Sequence, residues 1–127
     1  MRKFLLLPML LLGWISVSWA GEAQPFSADE FAAAQTAGKP IIVEIHASWC
    51  PVCAKQKPIL SQLRDTKFKD LVAFAIDFDS QKDLVARFGA NKQSTLIVFK
   101  GNAEKGRVVG VSDSAAITAL VEKAYGS

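Results

Sequence analysis

Apolar positions follow two rhythms along this chain, and the changes between them mark out its elements. Ile41 to Ala47 is a near-continuous apolar run, broken only at Glu44 and His46, which suits a strand covered on both faces. Leu71 to Ile76 is a second such run, and Ser94 to Lys100 a third. Between and around them the spacing turns helical. Ser27-Ala28-Asp29-Glu30 reads as a capping box opening a helix through Phe31, Ala32 and Ala34, which Gly38 ends. A second helix runs from about Pro51 to Arg64, with Leu60 and Leu63 facing inward and Pro58 expected to kink it. A short helix over 81–88 is closed by Gly89. Ser112-Asp113 cap a last helix with Ile117, Leu120, Val121 and Ala124 on its apolar side. Residues 101–106 read as a polar turn and Arg107 to Val111 as a strand, so 94–111 is predicted to be an antiparallel hairpin. A first short strand near Pro25-Phe26 has only a weak signal. Alternating strands and helices predict an α/β domain with a parallel core, the hairpin supplying antiparallel edge strands.

The first 20 residues follow a different rule. Arg2 and Lys3 precede the apolar stretch Phe4 to Val17, and Ser18-Trp19-Ala20 offers small residues at a cleavage site. This is the pattern of a secretory signal peptide, which predicts a periplasmic or secreted protein and a folded domain over 21–127. The rival is an uncleaved anchor. The apolar stretch is near the lower limit for crossing a bilayer, and the small-residue site favours cleavage. Removing these residues also removes two of the 15 Lys and Arg, so the formal charge falls from +3 to 13 − 12 = +1. The remaining basic residues are scattered among acids, so no nucleic-acid footprint is expected. A monomer is the default expectation.

Both cysteines of the chain, Cys50 and Cys53, stand where the first apolar run gives way to the second helix. An exported domain allows a structural disulfide. A bridge closing so short a loop, however, restricts the unfolded chain little. Chemistry is the better reading. At a helix start, unpaired N–H groups and the helix dipole favour a thiolate at Cys50, the attacking species. Its place at the helix tip predicts exposure, and Cys53, one turn deeper, would be the resolving thiol. Pro51 suits the first helical position, where its missing N–H costs nothing.

Val43-Glu44-Ile45-His46-Ala47-Ser48-Trp49-Cys50-Pro51-Val52-Cys53, followed by Pro58, resembles the active-site strand and helix of the thioredoxin family. Phe88-Gly89 and Thr95 to Gly101 resemble its later helix end and fourth strand, so the likeness spans essentially all of 21–127. It implies the thioredoxin fold, a central mixed sheet flanked by helices. It also implies a thiol–disulfide oxidoreductase acting on protein substrates with a redox partner protein and no cofactor. Trp49, Pro51, Ser94 and Thr95 would then line the substrate-facing rim.

Two positions depart from the family pattern. Glu44 stands where thioredoxin has a buried aspartate that helps proton transfer to the resolving thiol. A longer carboxylate can do the same, with a raised pKa if buried, or else point to solvent. Ser94 stands where the family has a cis-proline. A non-proline cis bond costs about 3–4 kcal/mol, so a trans Gln93–Ser94 bond is expected. Ser94 either offers its hydroxyl to a thiolate or simply begins the strand. His46, the only histidine, shares a strand face with Glu44 by alternation. It is either a packed strand-end residue or a third ligand, with Cys50 and Cys53, in a soft-metal (copper) binding module. Val52 brings no polar group to the sulfurs, which favours a reductant over a disulfide donor.

Overall fold

The computed structural model describes residues 22–126, so the predicted signal segment lies outside the described residues. Gln24–Pro25 forms a two-residue strand, β1. Helix α1, Ala28–Thr36, begins where Ser27 accepts the Glu30 N–H at 3.3 Å, the bond the capping pattern requires. Strand β2 is Pro40–His46. Helix α2, Pro51–Thr66, carries Pro58 inside it and continues to Thr66. Strand β3 (Val72–Asp77) and helix α3 (Lys82–Arg87) follow. The hairpin strands are β4, Thr95–Lys100, and β5, Ala103–Val109. Helix α4, Ser114–Lys123, is capped by Asp113, whose carboxylate accepts the Ala116 N–H at 2.9 Å.

The five strands form one mixed sheet in the order β1-β3-β2-β4-β5. β1, β3 and β2 are parallel neighbours, whereas β2–β4 and β4–β5 are antiparallel. Two expectations change. The hairpin does not supply two edge strands, because β4 sits inside the sheet and β5 alone of the two lies at an edge, the other edge being β1. The hairpin turn is also shorter than its polar stretch implied. Lys100 pairs with Ala103, leaving Gly101-Asn102 as the loop, and a bulge interrupts the register between Val98 and Phe99. Glu104, Lys105 and Arg107 belong to the edge strand. A strand with one open face takes polar residues freely, so its composition looks like a turn.

The sheet splits the core by alternation. Ile41, Val43 and Ile45 of β2 face α1 and α3, together with Phe31, Phe74, Phe88 and Phe99. Phe31 and Phe88 meet nearly edge-on at 5.4 Å, a favoured aromatic geometry. Ile42 faces the other way, with Leu60, Leu96, Val98, Ile117 and Leu120, under α2 and α4. Glu44 and His46 follow Ile42 in that alternation.

Gly101 makes the hairpin possible. Its φ is +57°, and a Cβ there would lie 3.2 Å from the Gln35 carbonyl oxygen. Its N–H donates to the Lys39 carbonyl at 2.9 Å, tying the hairpin to the end of α1. Gly101→Ala is expected to cost about 2 kcal/mol, from left-handed strain and this close approach. Urea denaturation checks it, and an unchanged midpoint would contradict it.

Candidate functional site

Pairing of β2 with β4 stops at Ile45 and Thr95, and β2 runs one residue further, with His46 paired to Asp77, before the chain leaves the sheet. The His46 carbonyl takes the Phe78 N–H at 2.8 Å, and the Cys50 N–H donates to the Ala47 carbonyl at 3.2 Å. This tight loop delivers Cys50 as the N-cap of α2 rather than as its first helical residue. The Cys53 N–H donates to Cys50 Sγ at 3.1 Å, so one of the orphan donors of the helix start points at this sulfur. That donor stabilises a thiolate at the same atom. Pro51 occupies the first helical position, as expected.

Cys50 and Cys53 are joined in a disulfide, with Cα atoms 5.3 Å apart. The expected contrast in exposure is absent: Cys50 is 4% exposed and Cys53 2%. Ala47 is buried with the pair, and Val52 and Phe78 pack against this small cluster in the oxidised form. What distinguishes the two is the hydrogen bond into Cys50 and the cleft behind Cys53. On the rim, Trp49 is 56% exposed. Its indole N–H donates to Asp79 Oδ2 at 2.7 Å, which holds the ring in place beside the pair.

The cleft has a volume of ≈ 460 Å³ and is lined by Cys53, Glu44, His46, Gln56, Arg64 and Asp77, among others. The alternation of β2 therefore does put Glu44 and His46 on one side, with the resolving cysteine. The Glu44 side chain is half-buried at the cleft, and burial raises its pKa to about 7 against the opposing pull of Arg64 and Lys57. Burial and the nearby Lys57 charge lower the pKa of His46, with Asp77 working against them. Asp77 is itself held low, chiefly by the Ser80 N–H and hydroxyl, which donate to Oδ1 at 2.8 and 3.0 Å. A carboxyl poised near neutrality beside a buried cysteine can take or return a proton during thiol exchange.

Ser94 is buried, and no peptide bond among the described residues is cis. It is also the one non-glycine described residue with positive φ, at 60°. Such a conformation costs about 1–2 kcal/mol for an L-residue. The Ser94 hydroxyl donates to the Gln93 carbonyl, so it is committed to its own loop rather than offered to a thiolate. Thr95 is buried too, and its hydroxyl donates to the Lys92 carbonyl at 2.7 Å. The soft-metal reading is not supported. Among the described residues no group of three His, Cys, Asp or Glu side chains could hold a metal ion, and His46 does not form one with the two cysteines.

Gln56 belongs to none of the motifs of the sequence. It is 3% exposed, between Cys53 and Leu60 on the inner face of α2, and donates to the carbonyls of Ser94 and Val111 at 3.2 and 2.8 Å. A polar residue at helical spacing between two buried ones was the available signal.

The thioredoxin family model matches residues 22–123 of the chain. Thioredoxin-2 of Saccharomyces cerevisiae is 30% identical over 90 residues, covering 70% of this chain and 86% of that protein. A chloroplastic M-type thioredoxin of Zea mays is 26% identical over 88 residues, and the match spans 53% of its length. The match to a bifunctional thioredoxin reductase/thioredoxin of Mycobacterium leprae spans 19% of that protein. Among solved structures, Trxlp from Edwardsiella tarda EIB202 superposes with a TM-score of 0.75 at 34% identity, covering 79% of this chain and 98% of that one. The chain belongs to the thioredoxin family, and Cys50–Cys53 is the redox pair of a protein-disulfide oxidoreductase.

Proposed function

We propose that the protein is an exported thiol–disulfide oxidoreductase that reduces disulfides in partner proteins, acting as a monomer. The observation that carries the chemistry is the pairing of two features. Cys50 is an N-cap whose sulfur accepts the Cys53 N–H, and Cys53 backs onto a cleft holding a carboxyl with a pKa of about 7. The export reading rests on Arg2, Lys3, the apolar run and Ser18-Trp19-Ala20. The monomer reading rests on the surface: Trp49 and Val109 are the large apolar side chains exposed among the described residues, too few for an extended apolar interface.

The cycle starts from the dithiol. Cys50 thiolate attacks one sulfur of the partner disulfide, a mixed disulfide forms, and one partner thiolate leaves. Cys53 loses its proton towards Glu44 and attacks Cys50 Sγ. The mixed disulfide breaks, the second partner thiol leaves, and Cys50–Cys53 is oxidised. Two electrons pass to the partner; of the two protons its thiols take up, one is that of Cys53, passed through Glu44, and the other comes from solvent, because Cys50 starts as the thiolate. An external dithiol protein then restores the pair by the same steps in reverse.

The direction rests on Val52, which adds no polar group to the sulfurs, and on the single N–H into Cys50. Both argue against the extreme thiolate stabilisation that makes a strong oxidant. Equilibration with glutathione redox buffers is expected to give a potential near that of thioredoxin, about −270 mV. A value near −120 mV, with a Cys50 thiolate persisting at acid pH, would reverse the assigned direction.

A further inference from the structure

We propose that Gln56 is a positioning residue for polypeptide substrates, setting the loop that ends at Ser94 against the redox pair. The proposal deepens the oxidoreductase reading and rests on it. The loop lies at the Cys50 end of the sheet. Thr95 is the last β4 residue paired to β2, opposite Ile45, and β2 runs on through His46 towards Cys50. On the Cys50 side of Thr95 the chain leaves the β2 ladder, and Asn91 to Gln93, which are not buried, are the part of the loop that meets an extended segment.

Most of the bonds that shape this loop are internal to it or to the hairpin. The Thr95 hydroxyl donates to the Lys92 carbonyl, and the Ser94 hydroxyl to the Gln93 carbonyl. The Gly110 N–H donates to the Ser94 carbonyl at 3.1 Å. These fix the loop's own form but not its place relative to the cysteines. Gln56 supplies that link. It sits on α2, three residues after Cys53, and lines the same cleft. Its amide has two N–H groups, and both are used: one on Ser94 just before β4, the other on Val111 just after β5. Both ends of the hairpin are thereby tied to the helix that carries the redox pair. The Ser94 carbonyl accepts two donors, Gln56 and Gly110, and the left-handed turn at Ser94 is held between them. A buried amide with both donors satisfied across two chain segments is a specifying contact rather than a packing one.

The test is Gln56→Met, which keeps length and volume and removes both donors. Wild type and variant are reduced with dithiothreitol, freed of it by gel filtration, and mixed in single-turnover reactions with excess insulin, a protein disulfide, or excess dithionitrobenzoate, a small aromatic disulfide that needs no docked backbone. The ratio of the second-order rate constant on insulin to that on the small disulfide is expected to fall about tenfold, through weaker binding of insulin. An unchanged ratio, whether both rates fall together or neither moves, assigns Gln56 a purely structural role and overturns the proposal. A wild type inactive on both substrates removes the oxidoreductase reading itself, and the proposal with it. Should Gln56→Met not fold, Gln56→Asn, which holds the same amide on a shorter arm, is read against the same outcomes.

Discussion

Replacing Cys50 with serine is expected to abolish disulfide reduction, to the background of the assay, while leaving the fold intact. Replacing Cys53 with serine is expected to do something different. Cys50 keeps its N-cap place and the Cys53 backbone N–H that donates to it, because that donor is main chain and survives the substitution. It can therefore still attack. What is lost is the sulfur that resolves the mixed disulfide, so the first turnover stalls and a covalent complex with the partner accumulates. The two variants have equal steady-state activity and opposite trapping behaviour. Non-reducing electrophoresis after incubation with a protein disulfide separates them, and β-mercaptoethanol should release the trapped partner. If Cys50→Ser traps partner and Cys53→Ser does not, the roles are reversed. The same trap, used in an extract, captures partners through a bond that only the attacking cysteine can make.

The second large effect is on stability, and it depends on pH. An unfolded glutamate titrates near 4.5, whereas the Glu44 carboxyl in the fold is raised to about 7 by burial. Below pH 4.5 it is protonated in both states and carries no penalty. As pH rises from 4.5 to 7 the unfolded chain ionises first, and the folded state loses stability. Above 7 the full cost is present, about 3 kcal/mol by linkage. Glu44→Gln keeps the shape and cannot ionise. It is therefore expected to be more stable than wild type by about 3 kcal/mol at pH 8 and equal to it at pH 4. Urea unfolding at the two pH values measures this. A gain that is the same at both would mean that packing, not ionisation, is responsible. The stabilised variant should be the poorer enzyme. With no group at Glu44 to take the Cys53 proton, the resolving step is expected to slow by about 10²-fold near neutral pH, at the lower end for a lost general base because water reaches the cleft. A gain in stability together with that loss is the pattern of a carboxylate retained for chemistry.

The local features were legible along the chain because each is set by neighbours a few residues away. The Ser27 and Asp113 caps, the glycines that close α1 and α3, the apolar β2 run and the Cys50–Cys53 pair at a strand-to-helix junction are all of this kind. The alternation that puts Glu44 and His46 on one side of β2 is also local, and the cleft confirms it. Where the structure departs from the sequence pattern, the deciding partner is distant. Nothing in residues 101–111 says that β4 lies between β2 and β5, or that Glu104 and Lys105 belong to an edge strand. The pairing of Ile41 with Phe99 decides the first, and the open face of β5 the second. Cys50 was expected to be exposed from its place at a helix tip. It is buried in a small cluster against which Phe78 packs, and Phe78, in the turn after β3, is brought there by its N–H bond to the His46 carbonyl once β3 lies beside β2.

By itself, then, the sequence determined the order of elements, the positions of the caps and the two atoms that exchange electrons. These follow from backbone preference, side-chain periodicity and thiol chemistry, which act over one or two turns. Only the tertiary structure decided how that pair is served. It placed Arg64 and Lys57 of α2 across from Glu44, so that burial and charge together set its proton affinity. It turned Ser94 into the left-handed region and brought Gln56 to it across 38 residues of chain, and to Val111 across 55. Hydrogen bonds over such separations exist only after the sheet has assembled, because sheet order alone makes those residues neighbours.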